Sequence, residues 1–296
     1  MKKWLIKISL CFLVIFSFLI LSQKAQAIVY FSENWDSGTP PSAWPCKNLP
    51  NGCTSQSFNG WAPKDYGCNE TDGKDSGLST TIYHSPPRSY YQKRAANQYS
   101  TCDIWKSLPQ PYPTKIHMRF YVYFTNNWQN FDNPPGPTAE FVHLLFTNST
   151  RSGVGFRFNL LDISSTEYLY ECYSGTKPQM YLNIEDNSTG GKRGTAPYDC
   201  WNFYDHLNEW ICVEIMADAE NDKYGLWING DMKVNNVTTT ITQTNFAKII
   251  ISGFSSYLKN WTGDFYIDDI IVSDSYIGCG PLPQAPQPPA NLRIVP

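Results

Sequence analysis

The sequence predicts an all-β domain with the architecture of an antiparallel β-sandwich, and three observations support this prediction. Apolar residues recur at every second position in several short runs, as expected for strands that bury one face. The connections between these runs are too short for crossover helices, so neighbouring strands are expected to pair antiparallel. The region from 28 to 280 is longer than an immunoglobulin-type sandwich but suits one larger jelly roll.

The first 27 residues are predicted to be a secretory signal peptide. A lysine-rich start is followed by a short apolar run over 8–21 and by a small-x-small cleavage motif at 25–27. No later run reaches the roughly 18 consecutive apolar residues that a membrane-spanning helix needs. We therefore expect a secreted protein, extracellular or periplasmic, with no membrane span once the signal is removed.

Alternating runs define the predicted strands in chain order. They cover 115–125, 140–147, 153–161, 179–186, 209–217, 224–230, 246–254 and 264–272. In the first run the apolar positions are Met118, Phe120, Val122 and Phe124, and the polar positions are His117, Arg119, Tyr121 and Tyr123. The runs at 209–217 and 224–230 are predicted to pair as a hairpin, and Asn229-Gly230 is typical of a tight turn.

Two segments lie outside this alternation. Residues 36–80 are rich in Gly, Pro, Asn and Ser, and we predict a loop-rich excursion over one sheet that disulfides hold in place. Residues 281–296 contain six prolines and are predicted to form an extended linker or tail. The β-sandwich domain is therefore placed at 28–280.

The cysteines are predicted to form up to four disulfides. Cleavage after Ala27 would remove Cys11 and leave an even number, which in an exported chain indicates disulfide pairing. The remaining cysteines are Cys46, Cys53, Cys68, Cys102, Cys172, Cys200, Cys212 and Cys279. Cys46 and Cys53 are the easiest local pair, and the other pairings stay open. Thiolate metal binding is disfavoured because the chain contains no CxxC pair.

Charge and composition narrow the class of partner. The formal net charge is -3, which disfavours nucleic acid because that ligand requires a basic face. Aromatic residues make up 15% of the chain, including 19 Tyr and 10 Trp. Tyr and Trp suit interfaces and sugar platforms because they combine a flat ring with a polar edge, although thick sandwiches also contain many of them.

Several segments resemble the concanavalin A-like superfamily, which includes laminin-G-like domains, MAM modules and some polysaccharide lyases. The segment WICVEIMADAENDKYGLWINGDMKV at 210–234 resembles a pair of strands in these jelly rolls, and GDFYIDDIIVS at 263–273 resembles their last strand. YFSENWDSG at 30–38 resembles their first strand, and HSPPRSYYQ at 84–92 the segment after it. The resemblance implies a concanavalin A-like jelly roll in which the first and last strands lie side by side near a sheet edge.

The resemblance also implies a structural calcium ion (Ca²⁺), because many relatives carry one at this place. Glu33 or Asp36 is expected to meet Asp268 or Asp269, and converging carboxylates repel unless they are protonated or bridged by a cation. Successive strand residues point to opposite faces, which favours Asp268 over Asp269. The expected ligands are Glu33, Asp36 and Asp268. In the alternative, one acid faces solvent and another caps backbone donors.

The polar faces of the central strands are the candidate ligand surface. We expect a concave sheet face to gather residues that stack on sugar rings and bind hydroxyl groups. The candidates are His117, Arg119, Tyr121, Tyr123, His143, Arg157, Asn159, Tyr181, Asn183 and Glu185. The alternative is a merely solvated face, although Lys, Glu, Thr and Ser are more typical there. The expected partner is an extracellular polysaccharide, bound by a monomer.

Enzymatic activity stays open at this point. The ExDxxE pattern of jelly-roll glycosidases is absent, which disfavours a hydrolase. A polysaccharide lyase needs a cation or amide, a base and an acid for β-elimination. The candidates for these roles are Arg119 or Arg157 with Asn183, then His143, then Tyr181. The strand motifs of jelly-roll lyases are missing, so lectin-like binding is the main hypothesis, and a lyase and a MAM-type or laminin-G-type adhesion module are the alternatives.

Overall fold

A computed structural model of the chain describes residues 27–40, 44, 57–63, 75–94, 104–127, 129–130, 139–146, 155–161, 179–186, 192–194, 201–238, 245–255 and 261–280. The predicted signal peptide up to residue 26, the Pro-rich tail and most of the 36–80 excursion lie outside the described residues. Among the residues that are described, no helix is long and apolar enough to cross a membrane.

The described residues form β-strands almost throughout. In chain order these are β1 (Val29–Glu33), β2 (Ala62–Pro63), β3 (Asp75–Ser79), β4 (Ser89–Arg94), β5 (Ile104–Ser107), β6 (Lys115–Phe124), β7 (Gln129–Asn130), β8 (Ala139–Phe146), β9 (Gly155–Leu161), β10 (Gln179–Asp186), β11 (Lys192–Gly194), β12 (Trp201–Asn202), β13 (Trp210–Asp218), β14 (Lys223–Ile228), β15 (Asp231–Thr238), β16 (Phe246–Ser255) and β17 (Trp261–Ser273). A short 3-10 helix, Phe203–His206, precedes β13. Every predicted run coincides with a strand to within a few residues.

Two antiparallel sheets form the sandwich, which confirms the predicted fold class. The first sheet has the order β15-β14-β13-β6-β17-β4-β3, with β1 and β7 also paired to β17. The second sheet has the order β11-β10-β9-β8-β16-β5-β2, with β12 paired to β10. The first and last strands lie side by side as expected, since Glu33 pairs with Ile270. β17 lies between β6 and β4 at residues 263–267 and between β6 and β1 at residues 270–273, and among the described strands β1 pairs with β17 alone, so the two strands lie near an edge there as expected.

The core between the sheets is built from the alternating apolar positions. From β6 it receives Ile116, Met118, Phe120, Val122 and Phe124, and from β17 it receives Phe265, Ile267, Ile270 and Val272. Burial of each of these side chains stabilises the fold by roughly 1.5–3 kcal/mol. Because the side-chain period of a strand is two, the intervening residues of β6 are placed on the outer face of the first sheet.

The Asn229-Gly230 turn joins a different pair of strands from the one predicted. β13 and β14 do pair as a hairpin, but residues 219–222 connect them. Asn229 and Gly230 connect β14 to β15, with φ angles of 52° and 87°. Positive φ at both positions is what a two-residue type I′ hairpin turn requires.

Candidate functional site

The predicted ligand residues of β8, β9 and β10 share one face of the second sheet. Arg157 stands directly opposite His143 on one side and Asn183 on the other. Asn159 stands opposite Tyr181, two positions along the same strands, and Glu185 follows Asn183 at the same spacing. The period of two therefore assigns all six residues to one face. We call them the polar set.

The remaining predicted ligand residues lie on the other sheet. His117, Arg119, Tyr121 and Tyr123 belong to β6 in the first sheet. The prediction that Arg119 and Tyr121 share one trough with His143, Arg157 and Tyr181 is therefore wrong. Alternation along each strand was read correctly, but alternation does not reveal to which sheet a strand belongs.

The C-terminal segment, residues 274–280, covers part of the outer face of the first sheet. A disulfide joins Cys279 in this segment to Cys212 on β13. The buried Glu214 carboxylate accepts hydrogen bonds from the backbone N–H groups of Ile277 at 3.0 Å and Gly278 at 2.8 Å. The other predicted cysteines lie outside the described residues, so their pairing stays a prediction.

Arg119 is held beneath this segment and is only 1% exposed. Its Nη1 donates to the carbonyl oxygens of Gly280 at 3.0 Å and Gly278 at 3.3 Å, and Tyr121 Oη also donates to Gly280 O. Burial lowers the pKa of Arg119, and the neighbouring Tyr121, Asp269 and Glu214 oppose that shift. Arg119 therefore cannot meet a polysaccharide while the segment is in place.

Four aromatic residues form a row across the outer face of the first sheet. Trp210, Tyr123, Tyr266 and Tyr91 stand directly opposite one another on β13, β6, β17 and β4. Neighbouring ring centroids are 5.4, 5.9 and 6.0 Å apart. We call these residues the aromatic row. At about 4.8 Å per strand the row spans roughly 15 Å.

Asp268 and Asp269 both belong to the outer face, because β17 bulges between them. Asp268 pairs with Tyr121, the next paired residue is Ile271 opposite Arg119, and the register shifts in between. Asp269 has a φ of 49°, a left-handed conformation that Asp tolerates better than most residues. The expectation that the two acids point to opposite faces is therefore wrong.

The two carboxylates have different partners. Asp268 is fully buried, and its Oδ2 accepts the backbone N–H groups of His84 and Ser85 at 2.9 and 3.0 Å. Burial, with the neighbouring Asp269 as a second cause, raises the pKa of Asp268 to about 8. Asp269 Oδ2 lies 2.5 Å from His84 Nδ1 and accepts a hydrogen bond from Ser85 Oγ. Asp269 Oδ1 is buried and has no protein partner among the described residues.

The carboxylate of Glu33 has its own partners in the protein. Its Oε1 accepts hydrogen bonds from Trp35 N and Asn59 Nδ2, and its Oε2 accepts one from Trp61 Nε1. Lys106 Nζ lies 3.5 Å from the same Oε2. Because both oxygens are occupied by protein donors, Glu33 is unsuited to the role of calcium ligand that was predicted for it.

Asp36 and Asp269 are a more suitable pair of cation ligands than the predicted set of Glu33, Asp36 and Asp268. Burial, followed by the charge of Asp269, raises the pKa of Asp36, and Arg88 opposes the shift. Asp36 Oδ1, like Asp269 Oδ1, is buried without a hydrogen-bond partner in the described part of the chain. In that part no three His, Cys, Asp or Glu side chains converge to hold a metal. A calcium ion here would thus need main-chain carbonyl or water oxygens to reach its usual six to eight ligands.

The sequence reasoning missed His84 and Ser85 and rejected Asp269. All three meet at the bulge of β17, where the His84 ring also stacks on Tyr121 with centroids 3.7 Å apart. A signal was present, because both the HSPP motif and the IDD motif lie in segments that carried the family resemblance. The His84 side chain is 31% exposed.

No protein-family model matches the chain, and no curated protein matches its sequence. Solved structures with a similar arrangement of strands include domain 4 of AbnA, an extracellular arabinanase from Geobacillus stearothermophilus, in complex with arabinotriose (TM-score 0.42, 12% identity, 83% of this chain and 92% of that one). Another is the CBM2 module of the evolved Dit of Lactobacillus casei BL23 phage J-1 (0.46, 11%, 83% and 95%). A third is the botulinum neurotoxin serotype D binding domain (0.45, 12%, 69% and 43%). The chain spans less than half the length of the botulinum domain and of the structure of the HCR/D W1238A mutant. At these scores the similarity carries no information on the ligand.

Proposed function

We propose that this protein is secreted and recognises an extracellular polysaccharide through the polar set on the outer face of the second sheet. The observation that carries the proposal is the register of β8, β9 and β10, in which Arg157 stands between His143 and Asn183. A cation, an imidazole and an amide on neighbouring strands offer fixed donors to the carboxylates and hydroxyls of an acidic glycan.

The opposite positions of the same strands support this proposal. Phe156, Phe158, Leu182 and Ile184 alternate with the polar set and pair with one another across β9 and β10. This apolar face suits the interior of the sandwich, which leaves the polar set on the outer side. The disulfide between Cys212 and Cys279 suits an exported protein, because such bonds persist in oxidising compartments.

The test is retardation of the mature protein in gels that contain alginate, heparin or glucuronan. We expect retardation that Arg157→Ala abolishes and that Lys223→Ala, a charge removal at an exposed position of the first sheet, leaves unchanged. Loss of about 1.5–3 kcal/mol for one charged hydrogen bond weakens binding by roughly 10- to 150-fold. Equal retardation of Arg157→Ala and the parent protein would exclude this face, and binding to a protein partner alone would favour an adhesion module.

Polysaccharide lyase activity is the second candidate, and the same register favours it. Arg157 with Asn183 would neutralise a uronate carboxylate, His143 would remove the C5 proton, and Tyr181 would protonate the leaving oxygen. Arg119 has no part in this scheme because it lies on the other sheet. A lyase would produce an unsaturated product with rising ultraviolet absorbance, and His143→Ala should stop the rise. Retardation without any absorbance change would leave binding alone.

We also propose a structural calcium ion at Asp36 and Asp269. Two buried carboxylate oxygens without partners are costly, and a bound cation would relieve their mutual repulsion. Calcium should therefore raise the melting temperature, and EDTA should lower it. Asp269→Asn should remove the calcium effect, whereas Asp231→Asn at an exposed position should preserve it. Identical melting with calcium and with EDTA would refute the site.

A further inference from the structure

The aromatic row has an accessible end on β13 and β6. Trp210 and Tyr123 are half-buried, whereas Tyr266 and Tyr91 are only 5% and 7% exposed. His84 extends the accessible end, because its ring lies edge-on to Trp210 with centroids 5.8 Å apart. The accessible rings are thus supported from one side by buried rings, which fixes their orientation before any ligand arrives.

Carboxamides border this accessible end. Asn208 Oδ1 accepts hydrogen bonds from Tyr123 Oη at 3.2 Å and from the backbone N–H of Asn126 at 3.0 Å. Asn127 Oδ1 accepts one from the Thr125 hydroxyl. Because the oxygens of both amides are engaged inside the protein, their NH₂ groups are the atoms left to donate to a ligand. Asn208 keeps this position at a φ of 61°, a conformation that Asn tolerates.

Cations near the row are already engaged. Lys93 Nζ lies 5.4 Å from the centroid of the Tyr91 ring, and Lys93 stands opposite Asp264 across β4 and β17. His84 is bound to Asp269, and Arg119 is covered by the C-terminal segment. Within the described residues, the accessible end therefore offers ring faces and amide donors, but no free cation for a carboxylate or sulfate.

We propose that the aromatic row is a second glycan-binding surface, specific for an uncharged polysaccharide that lies across the strands of the first sheet. Flat ring faces accept the C–H side of a sugar ring, and amide NH₂ groups bind its hydroxyl oxygens. This surface is on the opposite side of the sandwich from the polar set and takes a different class of ligand. Its existence does not depend on the function proposed for the second sheet.

The experiment compares retardation of the full-length mature protein in gels that contain xylan or hydroxyethylcellulose with retardation in alginate. Trp210→Ala and Tyr123→Ala should each weaken binding to the neutral polymers about tenfold, the loss expected for one stacking contact. Tyr123→Phe retains the ring and should bind within about twofold of the parent. Tyr276→Ala is the matched control, because Tyr276 is an aromatic residue 51% exposed on the C-terminal segment and is not part of the row.

Each outcome decides the proposal separately from the function of the second sheet. Loss of neutral-glycan binding in the row variants, with alginate retardation unchanged, supports it even if Arg157→Ala has no effect. Neutral polymers that do not retard the parent protein, or retardation that survives Trp210→Ala and Tyr123→Ala, overturn it. The proposal is also overturned if the row variants lose binding to a protein partner and keep their binding to neutral glycans. If either alanine variant melts early, Asn208→Gly, which removes one amide donor and tolerates positive φ, must weaken neutral-glycan binding.

Discussion

The cross-link between Cys212 and Cys279 should supply a measurable share of the stability of the sandwich. It closes a loop between residues separated by 67 positions. In the chain-entropy description, loss of a cross-link over such a loop releases about 4 kcal/mol of conformational freedom in the unfolded chain. We expect the double variant Cys212→Ala/Cys279→Ala to lose about this much free energy of unfolding.

The C-terminal segment should stay docked in this variant. Glu214 would still accept the N–H groups of Ile277 and Gly278, and Arg119 would still donate to Gly280. Hydrogen bonds to charged groups contribute roughly 1.5–3 kcal/mol each, so the three together are comparable with the cost of ordering residues 277–280, at about 1–2 kcal/mol per residue for the backbone. Because the folded segment keeps its place, the free energy of unfolding should fall by almost the whole loop-entropy contribution of about 4 kcal/mol.

The assay is urea unfolding followed by far-ultraviolet circular dichroism without reductant, which leaves the other cysteines in their native state. Hydrogen exchange at Ile277 and Gly278 reports separately on the segment. A loss below about 1 kcal/mol with slow exchange would refute the loop-entropy reasoning. The same small loss with fast exchange would refute the strength assigned to the Glu214 hydrogen bonds instead, because the segment would have detached.

Three further predictions concern single side chains. Glu214→Gln should lower the free energy of unfolding by about 2 kcal/mol in urea melts, because two backbone donors lose a charged acceptor, and the exposed Glu220→Gln should change it little. Gly225→Ala should cost about 1–3 kcal/mol in the same assay, because its new Cβ would lie 2.9 Å from the Trp227 ring, whereas Gly280→Ala meets open space. Asp274→Asn should lower the free energy of unfolding by at most about 1 kcal/mol, because Asp274 Oδ1 accepts a hydrogen bond from the Ile28 N–H at 3.0 Å. If the substitution lowers it equally in protein that still carries the leader, a free α-amino group at Ile28 is not involved.

The fold was predictable because its physical signal is local and repeated. Alternation along β6 and β10 is visible in a dozen residues, and it follows from the pleat alone. The partners of each strand depend on the whole topology, which no local pattern contains. For this reason alternation could align the positions of His143, Arg157 and Asn183, which the register pairs across β8, β9 and β10, while Arg119 was assigned to the same face although it belongs to the other sheet.

The acidic pair Asp268 and Asp269 within β17 was harder to predict, because the bulge at this point breaks the period-two alternation on which the other strand predictions depend. Strict alternation would turn Asp269 into the core, where an isolated carboxylate is very costly. The chain avoids this cost with one residue in a left-handed conformation, which returns Ile270 to the core and leaves both acids on the outer face. Two adjacent acids in an apolar strand therefore indicate a β-bulge that places both on the same face. They do not indicate that only one of the two can face outward. A bulge at this point keeps both Asp268 and Asp269 as candidate ligands on the outer face, and the contacts of His84 and Ser85 then distinguish the two acids.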